Sequence, residues 1–85
     1  MFFIYILESE RDSTFYVGHT QNVEMRLTQH NAGHSRSTRL KRPWKLVYQE
    51  QFETRSEAMN REKEIKKRKS RTYKEELIKQ YKSGD

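Results

Sequence analysis

Two runs of strand-forming residues, Phe2-Phe3-Ile4-Tyr5-Ile6-Leu7 and Thr14-Phe15-Tyr16-Val17-Gly18-His19-Thr20, are separated only by the polar stretch Glu8 to Ser13. Together they read as a β-hairpin across that turn. The first run is apolar throughout, as expected of a strand covered on both faces, which places it centrally in a small sheet. The second is interrupted by Gly18, and a strand position without a side chain marks either a bulge or the close approach of another group. Tyr5 lies eleven positions before Tyr16. The hairpin therefore brings two phenols and a stretch of bare backbone to one face.

From Asn22, which reads as a helix cap, the period changes. Val23, Leu27 and His30 fall at i, i+4 and i+7 of an amphipathic helix that ends around Asn31-Ala32-Gly33. Arg26 sits at the edge of that stripe, close to His30. His34 to Pro43 holds Arg36, Arg39, Lys41 and Arg42 without apolar periodicity, and reads as an exposed basic loop. Trp44 to Phe52 alternates as a third strand, with Trp44, Leu46 and Tyr48 expected on one side and Lys45 and Gln49 on the other. Thr54-Arg55-Ser56-Glu57 fits a capping box opening a helix to about Arg68, whose inward stripe is Ala58, Glu62 and Ile65. Ser70 caps a last helix carrying Tyr73, Leu77 and Tyr81 at a spacing of four, with residues 83–85 expected to fray. The order β-β-α-β-α-α predicts one α+β domain over residues 1–82, a small three-stranded antiparallel sheet flanked by helices.

Charge narrows the partner. Eighteen Lys and Arg against twelve Asp and Glu give a net charge of +6, which points to a polyanion. The absence of cysteine excludes a disulfide framework and a thiolate metal site, and suits a reducing, cytoplasmic interior. No segment approaches the ~20 apolar residues of a membrane span, and Met1 leads into a strand without a charged leader, so neither membrane insertion nor export is expected. With only 32% of its residues hydrophobic, the chain needs nearly all of them for its core. A carboxylate between two apolar residues, as at Glu62, is then informative, since an unpaired buried carboxylate costs several kcal/mol.

Phe3-Ile4-Tyr5, Tyr16-Val17-Gly18, Arg26 and Glu62 together resemble the GIY-YIG nuclease family over roughly residues 2–68. The second motif differs from Tyr-Ile-Gly only by Val17. The first has Phe3 in place of glycine, and its tyrosine stands at the expected distance from the second. Arg26 and Glu62 match the family's arginine and metal-holding glutamate, while the asparagine that several members carry after the glutamate helix has no counterpart beyond Asn60. The likeness is closest to small members that consist of the domain alone.

That resemblance implies an endonuclease that hydrolyses DNA with one Mg²⁺ or Mn²⁺ ion held by Glu62. Tyr5 becomes the general base, Tyr16 and His19 its support, and Arg26 and His30 the contacts to phosphate or leaving oxygen. A free phenol near pKa 10 is a poor base, and bringing it down by about three units needs roughly 4 kcal/mol of differential stabilisation. Arg26, His19 and the metal are the sources expected to supply it. Arg36, Arg39, Lys41 and Arg42 in the loop and Lys63, Lys66 and Lys67 on the glutamate helix are expected to grip the nucleic acid, DNA in preference to RNA. With few residues for reading base edges, cleavage is expected to be structure-selective or nonspecific, by a monomer, in repair or recombination, with a larger repair assembly as a further partner. Each residue alone has a plainer reading: core aromatics for Tyr5 and Tyr16, a solvated charge for Arg26, a structural ion pair for Glu62. On those readings the chain is a nucleic-acid-binding module that cuts poorly, or a protein-interaction partner.

Overall fold

A computed structural model describes residues 1–82; the expected fraying of residues 83–85 lies outside the described residues. The chain folds as β1 (Phe2–Ser9), β2 (Phe15–Thr20), α1 (Val23–Asn31), a short 3-10 turn (Arg39–Lys41), β3 (Trp44–Phe52), α2 (Arg55–Lys67) and α3 (Arg71–Lys82). The three strands form an antiparallel sheet in the order β2-β1-β3, an α+β arrangement with β1 in the middle.

The central position of β1 explains its unbroken apolar run. Ile4 and Ile6 face one core with Val17, Val47, Ala58, Ile65 and Ile78, beneath α2 and α3. Tyr5 and Leu7 point the other way, into a second core with Val23 and Trp44 beneath α1. Both faces are covered, so alternation between polar and apolar has no place in this strand.

Strand β3 departs from simple alternation. Its pairing with β1 shifts register between Ile6 and Leu7, so that Val47 is an extra residue between Leu46 and Tyr48. A bulge reverses the facing of everything beyond it. Trp44 and Leu46 accordingly stay on the α1 side, whereas Tyr48 joins Val47 on the α2–α3 side, contrary to the alternation expected from sequence.

The helices follow their caps. Asn22 accepts from the Met25 N–H at the start of α1, and Thr54 and Glu57 form the reciprocal capping box of α2. Gly33 ends the first helix in the left-handed region at φ +84°, where a side chain would also strike the Arg42 guanidinium. Ser70 Oγ accepts from the Tyr73 N–H. The buried residue of α3 is Ile78; Tyr73 and Leu77 pack partly against the core, and Tyr81 is exposed, with its ring edge-on to Tyr48. The stripe therefore turns one position from the expected Tyr73-Leu77-Tyr81 line. Among the described residues no helix is long and apolar enough to cross a membrane.

The segment expected to be a free basic loop is anchored. Thr38 is buried at 1% exposure. Ser9 Oγ donates to the Lys41 carbonyl at 2.7 Å, and the Asn31 side chain brackets Trp44, accepting from its N–H at 2.6 Å and donating to its carbonyl at 3.0 Å. Backbone groups in a connection need partners, and here side chains from β1 and α1 supply them.

Candidate active site

Tyr5 is paired across the sheet with Gly18, and a Cβ at residue 18 would come within 2.6 Å of the Tyr5 hydroxyl. The missing side chain thus admits the close approach of a phenol, the second of the two uses expected for a glycine in this strand. The phenol ends 3.1 Å from His30 Nε2. Tyr16, two residues before Gly18, has its ring 6.4 Å from that of Tyr5 and edge-on to His30 at 5.0 Å. Helix α1 brings Arg26 one turn before His30; its guanidinium lies near enough to the Tyr5 hydroxyl to favour its ionisation, and donates to Gln29 Oε1 at 3.0 Å. Tyr5, Tyr16, Arg26 and His30 are thus gathered on the α1 face of the hairpin.

Glu62 reaches the site from α2 through the edge strand. His19, next to Gly18 on β2, donates from Nδ1 to Glu62 Oε1 at 2.5 Å, and Lys66 donates to Oε2 at 2.6 Å. Burial works against charge on Glu62, but the hydrogen bonds from Lys66 and His19 outweigh it and hold the carboxyl below its ordinary range. The side chain keeps 16% exposure. Glu62 is close enough to Tyr5 for its charge to oppose ionisation of the phenol.

Two expected roles change. Burial pushes Tyr5 up to about 12; the nearby Arg26 guanidinium opposes this, and Tyr16 and Glu62 reinforce it. The free protein holds the phenol protonated, opposite to the lowering expected from Arg26 and His19. His30 is buried at 1% exposure, with Nε2 at Tyr5 and Nδ1 2.9 Å from Thr38 Oγ1. Both of its ring nitrogens are thus turned to protein hydroxyls. Its burial, and then the charge of Arg26, lower its pKa and keep it neutral.

The basic residues divide in the same way. Arg36, Arg39, Lys63 and Lys67 are exposed and make no ion pair among the described residues. Lys41 is instead tied to Asp12 at 2.8 Å and to Thr14 Oγ1, and Lys66 to Glu62; Arg42, which lies against Gly33, is exposed and makes no ion pair among the described residues. A cavity of about 460 Å³ between the hairpin and α3, lined by Glu8, Phe15, Arg71, Glu75 and Ile78 among others, contains none of the site residues.

Thr38 is not marked in the sequence, because a lone hydroxyl in a Ser- and Arg-rich loop has no periodicity to single it out. Its contact with Trp44, whose indole donates to the Thr38 carbonyl at 2.9 Å, exists only in the folded chain.

Among the described residues no cluster of three or more His, Cys, Asp or Glu could cage a metal. A single ionised, partly exposed carboxylate nevertheless suits a hard divalent ion that keeps most of its waters, and Glu62 meets that description.

Residues 1–83 match the GIY-YIG catalytic domain. The chain is 49% identical over 65 residues to a UPF0213 protein of Staphylococcus haemolyticus, covering 75% of this chain and 78% of that one. It is 45% identical over the same length, with the same coverage, to a UPF0213 protein of Staphylococcus saprophyticus. The solution structure of a UPF0213 protein from Bacillus halodurans superposes with a TM-score of 0.57 at 37% identity, covering 93% of this chain and 84% of that one. By its matched domain, its relatives and its fold, the chain belongs to the GIY-YIG nuclease family.

Proposed function

We propose that residues 1–82 act as one domain, a divalent-metal-dependent endonuclease that hydrolyses DNA phosphodiester bonds in the cytoplasm, structure-selectively or without sequence preference, in repair or recombination. The observation that carries this reading is the gathering of Tyr5, Tyr16, Arg26 and His30 on one face of the hairpin, beside an ionised Glu62 at its edge.

In this reading Tyr5 works as a relay, because a phenol near pKa 12 is almost never ionised at neutral pH. As the attacking water gives a proton to the Tyr5 oxygen, the phenol's own proton passes to His30 Nε2. The hydroxide forms its bond to phosphorus, the ester bond breaks, and the leaving oxygen takes a proton from solvent. Arg26 forks onto nonbridging oxygens, where its fixed charge stabilises the pentacovalent transition state. Tyr16 orients the water or phosphate through its hydroxyl. Glu62 would hold one Mg²⁺ or Mn²⁺, and His19 keeps that carboxylate aimed. A bound ion would supply Lewis-acid polarisation of the phosphate. Arg36, Arg39, Arg42, Lys63 and Lys67 form the phosphate-gripping surface, which leaves Lys41 and Lys66 with local partners.

One observation favours a second reading, a nucleic-acid-binding module with little cleavage: both Glu62 oxygens already have cationic or imidazole partners. Labelled linear, nicked, flapped and single-stranded DNA and RNA, incubated with Mg²⁺ or Mn²⁺, separate the two. The nuclease reading expects metal-dependent cutting of DNA by the parent and none by Glu62→Ala or Arg26→Ala. Binding without cutting by the parent across the whole panel would select the module.

A further inference from the structure

We infer that Thr38 is a positioning residue for this reaction: its hydroxyl fixes the ring orientation of His30 and the nitrogen that carries the His30 proton, and so prepares the acceptor for Tyr5. The kinetic consequence rests on the nuclease reading above, whereas the proton placement on His30 does not.

Thr38 is held firmly enough for this task. It is buried at 1% exposure, its N–H donates to Ser35 at 3.3 Å, and its carbonyl accepts from the Trp44 indole at 2.9 Å and the Lys41 N–H at 3.1 Å. Trp44 is buried in turn and bracketed by the Asn31 side chain. The hydroxyl then stands 2.9 Å from His30 Nδ1, on the far side of the ring from the Tyr5 oxygen at Nε2. A ring fixed at both nitrogens has one orientation left.

The chemistry of the partners decides where the proton sits. The Arg26 guanidinium beside Tyr5 can only donate, so it offers the phenol's proton no acceptor, whereas His30 Nε2 stands 3.1 Å from the Tyr5 oxygen and can be one. A phenol is the stronger donor, and an aliphatic hydroxyl the better acceptor. The chain therefore runs from Tyr5 to Nε2 and from Nδ1–H to Thr38 Oγ1. This leaves Nε2 bare for the phenol's proton. When it takes that proton, His30 becomes an imidazolium in a buried place beside Arg26, where charge is disfavoured. The Nδ1–H bond to Thr38 then becomes charge-assisted and offsets part of that penalty.

The test uses the full chain labelled with ¹⁵N, and Thr38→Val, which keeps the shape but removes the hydroxyl, alongside Thr38→Ser. Imidazole ¹H–¹⁵N correlations of the parent should show His30 protonated at Nδ1 and bare at Nε2. Thr38→Val should lose that single form and lower kcat on a labelled DNA by roughly tenfold to a hundredfold, the scale of one hydrogen bond to a charged group. Its KM should move less than about twofold, because no ground-state contact to substrate is removed. Thr38→Ser should restore both the ring pattern and kcat. Protonation of the parent ring at Nε2 overturns the inference without any variant. So does a parent-like ring in Thr38→Val, or a Thr38→Ser as impaired as Thr38→Val while both unfold at the parent's temperature. If the ring behaves as stated but the parent cuts no substrate, the nuclease reading fails and the Thr38–His30 placement stands.

Discussion

The Tyr5 phenol lies directly over the backbone of Gly18, so closely that a Cβ on residue 18 would stand 2.6 Å from its oxygen and 2.8 Å from the carbon bearing it. The Tyr-Val-Gly motif of β2 therefore has a steric cause: its glycine is the seat of the tyrosine from the neighbouring strand. Gly18→Ala should push the phenol away from His30, costing about 1–3 kcal/mol of stability as an overpacked core position does. Cleavage should fall further than that stability loss explains, and urea unfolding compared with single-turnover rates will separate the two.

Tyr5→Phe keeps the ring and removes the relay. It leaves His30 Nε2 without its partner in a buried place, which should cost about 1–2 kcal/mol. Loss of a proton-transfer group should reduce cleavage by roughly 10²–10⁴ while DNA binding stays near the parent's. Binding by anisotropy and cleavage on the same labelled duplex check this directly.

Stability should carry the signature of His30 at mildly acid pH. Its folded pKa lies below the ordinary 6.5, through burial and then the charge of Arg26, so as pH falls the unfolded chain takes up the proton first. The stability from a neutral His30 is complete above 6.5 and is lost as pH falls toward the folded pKa, by at most about 1.4 kcal/mol per pH unit. Glu62 acts in a lower window, since its depressed carboxyl gives stability that is complete above 4.5 and lost below it. Urea unfolding at pH 7.5 and 5.5 thus reports on His30, and further acidification adds the Glu62 contribution.

The fold was legible where local chemistry decides it. The continuous run of β1, the Asn22 cap and the Thr54–Glu57 box each state their structure within a few residues, and all three hold. The facing of Tyr48 was not legible, because the bulge at Val47 is set by pairing with a strand some forty residues away. The same limit applies within the site. The family resemblance pointed to Tyr5, Tyr16, Arg26 and His30, but the direction of the Tyr5 pKa follows from burial, which only the packed core determines. Thr38 and the Lys66–Glu62 pair depend on tertiary contacts that periodicity does not record.

The cations should separate by experiment as they do in space. Arg36→Ala and Arg39→Ala, each removing an exposed charge, should weaken DNA binding and reduce the salt slope by about one for each phosphate no longer engaged. Lys41→Ala should leave that slope nearly unchanged, since its ammonium is engaged with Asp12 and Thr14. The ion pair is half exposed, and its loss should cost little stability. Binding isotherms across a range of salt concentrations distinguish these outcomes.

Glu62→Gln tests the central claim most directly, because it keeps the size and hydrogen-bonding reach of the side chain while removing the charge proposed to hold the metal. Single-turnover cleavage of a labelled nicked duplex by parent and variant, each shown to be folded and to bind the duplex, is the measurement. The expected result is Mg²⁺-dependent cutting by the parent and a loss of at least about a hundredfold in the variant, with affinity for the duplex retained. Equal rates for the two proteins would contradict that claim and assign the cutting to something other than this site.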